Sequence, residues 1–63
     1  MKVRNIRVKS GRNEYRVAFT LKPTRVLCVF RKTKHGETAL ALGGPTATYI
    51  SNLARTELER ADG

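Results

Sequence analysis

The sequence predicts a small α+β domain in which a three- to four-stranded antiparallel β-meander carries one C-terminal α-helix on one face. Residues 1–42 contain short runs of alternating apolar and polar residues separated by turn signals, which is the pattern of antiparallel strands. Residues 46–62 instead repeat their apolar side chains at helical spacing. At 63 residues the chain has room for one hydrophobic core, so we expect residues 1–63 to form a single domain.

The first strand is predicted over Met1 to Lys9, where Val and Ile alternate with charged residues. The alternation slips, because Val3 falls on an odd position and Ile6 on an even one. A β-bulge near Arg4 and Asn5 would restore the register, since a bulge adds one residue to one strand of a pair. A turn rich in polar residues and glycine then ends the strand.

The second strand is predicted over Glu14 to Lys22 and has the clearest alternation. Its apolar residues share one face, which we expect to be buried: Tyr15, Val17, Phe19 and Leu21. The others share the opposite face, which we expect to be solvated: Arg16, Ala18, Thr20 and Lys22. This pattern is typical of an antiparallel sheet that is covered on one side only.

The third strand is predicted over Arg25 to Thr33 and is apolar on both faces at its centre, as expected of a central strand. We expect Phe30 to lie in the core together with Phe19. Cys28 lies in the middle of the apolar run, so we expect its thiol to be buried and chemically inert.

A short fourth strand is predicted over Thr38 to Leu42, with Leu40 and Leu42 facing the core. The helix follows over residues 46–62. Its start has two alternatives that lie one or two residues apart, because Pro45 is favoured at the first helical position whereas Thr46 is a good N-cap residue. The apolar residues of the helix predict one buried stripe: Ile50, Leu53, Ala54, Leu58 and Ala61.

The charge of the chain is high and unevenly distributed. There are 13 Lys and Arg residues against 5 Asp and Glu, a formal net charge of +8. Residues 1–35 contain most of the basic residues and a single acid, Glu14, whereas residues 36–63 are net negative. The positive charge therefore belongs to the predicted sheet, and a surface of this kind attracts polyanions.

We expect the outward face of the sheet and its turns to bind nucleic acid. Arg7, Lys9, Arg16 and Arg31 are predicted on that face, which nearly lacks acids and has small residues that allow close approach. An arginine side chain can bond a phosphate or a guanine edge through two N–H groups at once. The predicted contact residues are Arg7, Lys9, Arg12, Arg16, Lys22, Arg25, Arg31, Lys32 and Lys34.

The turns extend this predicted surface at both ends of the sheet. Alternate turns of a meander lie at the same end, so Arg12 and the turn at residues 32–35 could contact one phosphate backbone together. Lys22 and Arg25 would lie at the opposite end.

Duplex DNA is the favoured ligand. Proteins that bind single strands stack bases on exposed aromatic rings, and here Phe19 and Phe30 are expected in the core. The order of three strands and a capped helix resembles that of domains that place a sheet in the groove of DNA, namely integrase arm-binding domains, methyl-CpG-binding domains and plant AP2-type domains. That resemblance implies duplex DNA as the ligand.

The sequence is compatible with two other functions. The basic face could bind an acidic protein, as in a small phage-type or regulatory effector. It could also bind RNA, since charge alone does not separate RNA from DNA. A homodimer is compatible with either, because a domain this small gains stability from association.

The sequence predicts neither an enzyme nor a metal or cofactor site. Cys28 and His35 are too few to form a structural zinc site, which takes four ligands. Glu57 and Glu59 lie two apart on the helix and do not face each other. No run is long enough to span a membrane and no signal peptide is recognisable. With a lone cysteine, these features lead us to expect a cytoplasmic protein, of prokaryotic or phage origin given its size.

Overall fold

A computed structural model describes residues 2–62, with side chains described for residues 2–60. Four strands, β1 (Arg4–Ser10), β2 (Asn13–Thr20), β3 (Arg25–Thr33) and β4 (Gly36–Ala39), precede one helix, α1 (Pro45–Asp62). Each strand pairs with the next in an antiparallel sheet of order β1-β2-β3-β4. The predicted α+β meander with a C-terminal helix is confirmed, and the sheet has four strands.

The core lies between one face of the sheet and the helix. Its buried members come from three strands and from α1: Val8, Tyr15, Val17, Val29, Ala47, Ile50 and Ala54. The partly buried residues packed against them are Ile6, Val26, Leu40 and Leu53. The small side chains of Ala47 and Ala54 lie on either side of Ile50, which brings the helix close to the sheet. The predicted buried residues Tyr15, Val17 and Phe19 of β2 and Ile50 and Ala54 of the helix are confirmed. Leu21 lies in the turn after β2, and both Leu21 and Leu58 are only half-buried and do not belong to the core cluster. Met1, Gly63 and the side chain of Ala61 lie outside the described part of the chain.

The bulge is in a different strand from the one predicted. The ladder between β1 and β2 is continuous along the whole of β1, so the prediction of a bulge near Arg4 and Asn5 is wrong. The irregularity lies between β2 and β3, where Leu27 has no partner on β2. Because one unpaired residue shifts the alternation, Val26 and Val29 both face the core although they are three residues apart.

The fourth strand begins earlier than the prediction of Thr38–Leu42. Thr33 pairs with Gly36 across a two-residue turn, and this hairpin sets the start of β4. Leu40 is partly buried against the core, as predicted. Leu42 is 47% exposed, so its predicted inward position is wrong, because the chain has already left the sheet to enter the helix.

The helix begins one residue before the predicted start. Pro45 is its first residue, so the alternative of a proline at the first helical position is confirmed. The carbonyl of Gly44 accepts the N–H of Thr48 at 3.1 Å, so Gly44 is the N-cap and the alternative of Thr46 as the N-cap is wrong. A Cβ atom at Gly44 would lie 3.2 Å from the carbonyl oxygen of Ala41, which suits a glycine in this tight turn. Within residues 2–62, no helix combines the length and apolarity needed to cross a membrane.

Candidate nucleic-acid interface

The helix covers only one face of the sheet, and we call the other the open face. Side chains that are paired across neighbouring strands lie on the same face, so the register assigns its members. The residues of the open face are Asn5, Arg7, Lys9, Glu14, Arg16, Ala18, Thr20, Arg25, Cys28, Phe30, Lys32, Glu37 and Ala39.

Most of the predicted contact residues lie on or beside the open face. Those on the face itself are Arg7, Lys9, Arg16, Arg25 and Lys32. Arg12 lies in the β1–β2 turn and Lys34 in the β3–β4 turn, and the strand order brings these two turns to the same end of the sheet. Lys22 lies in the β2–β3 turn, at the other end. The cations are therefore distributed over the face and both of its ends.

Arg31 lies on the helix side of the sheet, so its predicted position on the outward face is wrong. It pairs with Tyr15 on β2, and Tyr15 belongs to the core. Arg31 itself is exposed, because it lies near the end of its strand. Arg31 therefore does not share a face with Arg16.

Two apolar residues of β3 lie on the open face instead. Phe30 pairs with Arg16 and is half-buried, so its predicted position in the core is wrong. Cys28 pairs with Ala18 and is exposed, which contradicts the prediction of a buried thiol. Because β3 is apolar on both sides, its pattern does not select a face, and the register with β2 decides it.

Two residues predicted to be solvated are buried on the open face. Ala18 is 7% and Thr20 is 4% exposed. The hydroxyl of Thr20 donates a hydrogen bond to the carbonyl of Pro23 at 3.4 Å, so the β2–β3 turn folds back toward it. This part of the face is therefore less accessible than the alternating pattern predicts.

The open face also contains acids, although the sequence predicted that it would nearly lack them. Glu14 and Glu37 lie in one row with Lys9 and Lys32, one residue from each strand, so that cations and carboxylates alternate across the sheet. Lys32 Nζ lies 3.9 Å from Glu14 Oε2. The face remains net positive, but part of its charge is compensated locally.

Arg16 is the most tightly held cation of this face. Its side chain crosses β3, with the guanidinium carbon 4.3 Å from the centre of the Phe30 ring, and reaches Glu37 on β4. Nε donates to Glu37 Oε2 at 2.8 Å and Nη2 donates to Oε1 at 2.9 Å. Nη1 donates to Oδ1 of Asn5 on β1. One arginine thus connects all four strands.

This ion pair changes the protonation equilibria of both partners. The hydrogen bond from Arg16 is the largest influence that lowers the pKa of Glu37, and the nearby charges of Arg16, Arg7 and Lys32 lower it further. The same hydrogen bond raises the pKa of Arg16. The carboxylate of Glu37 therefore lies where three cations favour a negative charge.

A groove of about 390 Å³ lies on the open face, at the end of the sheet that contains the β3–β4 turn. Arg7, Arg16, Lys32 and Lys34 line it together with the two carboxylates. Within residues 2–60, the ion pairs of the structure involve only Arg16, Lys32 and Arg60 among the cations, which leaves most predicted contact residues unpaired. The unpaired cations of the groove, Arg7 and Lys34, can bind an anion without first breaking an ion pair within residues 2–60.

Sequence reasoning missed Asn5, Phe30 and Glu37 as members of this site. Arg16 and Glu37 are 21 residues apart and belong to strands that are not neighbours, so no local pattern connects them. The signal that could have pointed to Glu37 is its position at the start of a strand whose register follows from the turn before it.

Neither known protein families nor curated proteins nor solved structures match this chain. The resemblance to sheet-in-groove domains is therefore a likeness in the order of elements. Among the described residues, no three His, Cys, Asp or Glu side chains are grouped so that they could hold a metal ion.

Proposed function

We propose that this protein binds nucleic acid, with duplex DNA as the favoured ligand, through the open face of its sheet and the adjoining turns. The observation that carries the proposal is that a sheet face rich in cations is left uncovered by the only helix of the described chain. Arg7, Lys9 and Arg25 lie on this face and form no ion pair within residues 2–60. Phosphate contacts by such cations supply most of the affinity for DNA.

The dimensions of the sheet support a duplex as the ligand. Neighbouring strands are spaced about 4.8 Å apart. The major groove of B-DNA is about 12 Å wide and admits a two-stranded β-ribbon. Two neighbouring strands of the sheet could therefore enter the groove, while the cations of the turns contact phosphates beside it.

The aromatic residues argue against a surface for single strands. Stacking needs a ring that is open to a base. Phe30 is the aromatic residue of the open face, and Arg16 lies over its ring. Tyr15 and Phe19 are buried, whereas Tyr49 is exposed on the helix, away from the cationic face. Affinity is therefore expected to follow phosphates and grooves more than unstacked bases.

A pair of double substitutions tests the proposed face. Arg7→Ala with Arg25→Ala removes two arginines from the open face, and Arg55→Ala with Arg60→Ala removes two from the helix. Both variants lose the same charge, so a difference between them reports location. Binding to a short duplex is measured by fluorescence anisotropy from about 50 to 200 mM salt, with circular dichroism as a check of folding.

We expect the open-face variant to bind more weakly than the helix variant at every salt concentration. If both arginines contact phosphates, the slope of log K against log salt becomes shallower by about 1.8, since each contact contributes about 0.9. The helix variant should keep the slope of the wild type. Equal losses in both variants would show that only net charge matters and would contradict the proposed face.

The same measurement with single-stranded DNA and double-stranded RNA of equal length determines the ligand class. We expect the duplex DNA to bind most tightly. An absence of salt-dependent binding to all three would refute nucleic-acid binding. The acidic protein partner would then become the hypothesis to test.

A further inference from the structure

The Glu37 carboxylate occupies the position on the open face that is best suited to a bound anion. Both of its oxygens accept hydrogen bonds from Arg16, at 2.8 and 2.9 Å, in a two-point arrangement. A phosphate group offers a guanidinium the same pair of oxygens, which is why arginine binds carboxylates and phosphates in the same way. Arg7 and Lys32 add positive charge around the same point.

The two partners of this ion pair differ in how firmly they are held. Arg16 extends from the central strand β2, and Asn5 and the Phe30 ring hold its guanidinium independently of Glu37. Glu37 belongs to a four-residue edge strand whose residues are all exposed. The Glu37 side chain can therefore turn away into solvent while Arg16 keeps its position.

We propose that a phosphate of the bound nucleic acid takes the place of the Glu37 carboxylate on Arg16, so that Glu37 is an internal competitor for a preformed phosphate site. This inference rests on the proposed function and specifies one contact within it. Bound phosphate and Glu37 exclude each other, because both need the same two N–H groups. Glu37 thereby lowers the affinity for nucleic acid. It also weakens binding to any phosphate that cannot reach both of these N–H groups, which together form the fork of the Arg16 guanidinium.

The test compares Glu37→Gln with Glu14→Gln. Each substitution removes one negative charge from the same groove with almost no change in size. Glu14 is 3.9 Å from Lys32 and forms no hydrogen bond with it, so its removal changes the charge without freeing a guanidinium. Both substitutions are also made in an Arg16→Ala background, and the binding of each protein to a short DNA duplex is measured from about 50 to 200 mM salt.

We expect Glu37→Gln to tighten binding about two- to fivefold, which corresponds to the strength of an exposed ion pair. Glu14→Gln should tighten it less than about twofold, since it releases Lys32 only from an exposed 3.9 Å ion pair and frees no guanidinium. In the Arg16→Ala background the gain from Glu37→Gln should fall to that of Glu14→Gln, because no fork remains to be freed. Arg16→Ala alone should make the salt slope shallower by about 0.9, the contribution of one phosphate.

Three results would overturn the competitor role. Equal gains from Glu37→Gln and Glu14→Gln would mean that Glu37 acts only through its charge. Weaker binding of Glu37→Gln would mean that Glu37 holds Arg16 in its binding position. A gain from Glu37→Gln that persists in the Arg16→Ala background would mean that the gain does not come from freeing the Arg16 guanidinium. If wild type and all variants fail to bind any duplex at low salt, the proposed function itself fails, and the competitor role fails with it.

Discussion

Replacing Ile50 with alanine tests how the helix is held against the sheet. Ile50 is 1% exposed and is among the largest fully buried side chains of the described chain. Among its neighbours on the buried stripe, Ala47 and Ala54 have side chains too short to fill the space that Ile50 would leave, and Leu53 is only partly buried. Removing a buried isoleucine side chain beyond Cβ costs about 2–5 kcal/mol of unfolding free energy, because a cavity is added to the lost burial.

This loss is large for a domain of 63 residues. At about 0.05–0.15 kcal/mol per residue, its whole stability is about 3–9 kcal/mol. A destabilisation of about 3 kcal/mol lowers the melting temperature of a domain this small by about 12–24 °C. Thermal unfolding followed by circular dichroism measures the change directly.

Two neighbouring substitutions serve as controls for Ile50→Ala. Tyr49 is 56% exposed, so Tyr49→Ala should leave the melting temperature nearly unchanged. Leu53 is partly buried against the core, so Leu53→Ala should give an intermediate decrease. If Ile50→Ala melts like the wild type, or if Tyr49→Ala is equally damaging, then the helix does not pack on the sheet through this face.

Two further predictions concern the open face. Because Cys28 is exposed, a thiol reagent should label it in the folded protein nearly as fast as in the unfolded one, and slow labelling would contradict its position. The pKa of the Glu37 carboxyl, followed by NMR, should lie below the ordinary value of about 4.3 and rise in Arg16→Ala. Since folding lowers this pKa, the ion pair contributes its full stabilisation at pH values above the ordinary pKa of a glutamate carboxyl. That contribution is lost as the pH falls through the folded-state pKa. Wild type should therefore lose more stability on acidification than Glu37→Gln, and identical acid profiles would refute the linkage.

The parts of the fold that could be predicted are those in which one local pattern has one solution. In β2, Tyr15, Val17 and Phe19 alternate with charged or smaller side chains, so the side that packs toward the helix was predictable, although Ala18 and Thr20 on the other side are buried as well. The helix has one apolar stripe, so Ile50 had to face the sheet. The positive charge was likewise assigned correctly to the sheet, because most cations precede residue 36.

The faces of β3 could not be predicted in this way. Val26, Val29, Cys28 and Phe30 are all apolar enough to be buried, so hydrophobicity does not rank the two sides. A shift of one residue exchanges every side chain between the faces of a strand. The unpaired Leu27 supplies such a shift, and it puts both valines in the core while Cys28 and Phe30 lie on the open face.

The sequence by itself thus determined the class of fold, the buried side of β2 and the helix, and the strongly cationic character of the sheet. Only the tertiary structure decided which cations form ion pairs within residues 2–60. Arg16 contacts Asn5, Phe30 and Glu37, which belong to three different strands. Because these residues are far from Arg16 along the chain, no local sequence pattern predicts the contacts. Hydrophobic periodicity acts within one element, whereas an ion pair across a sheet depends on strand order and register together.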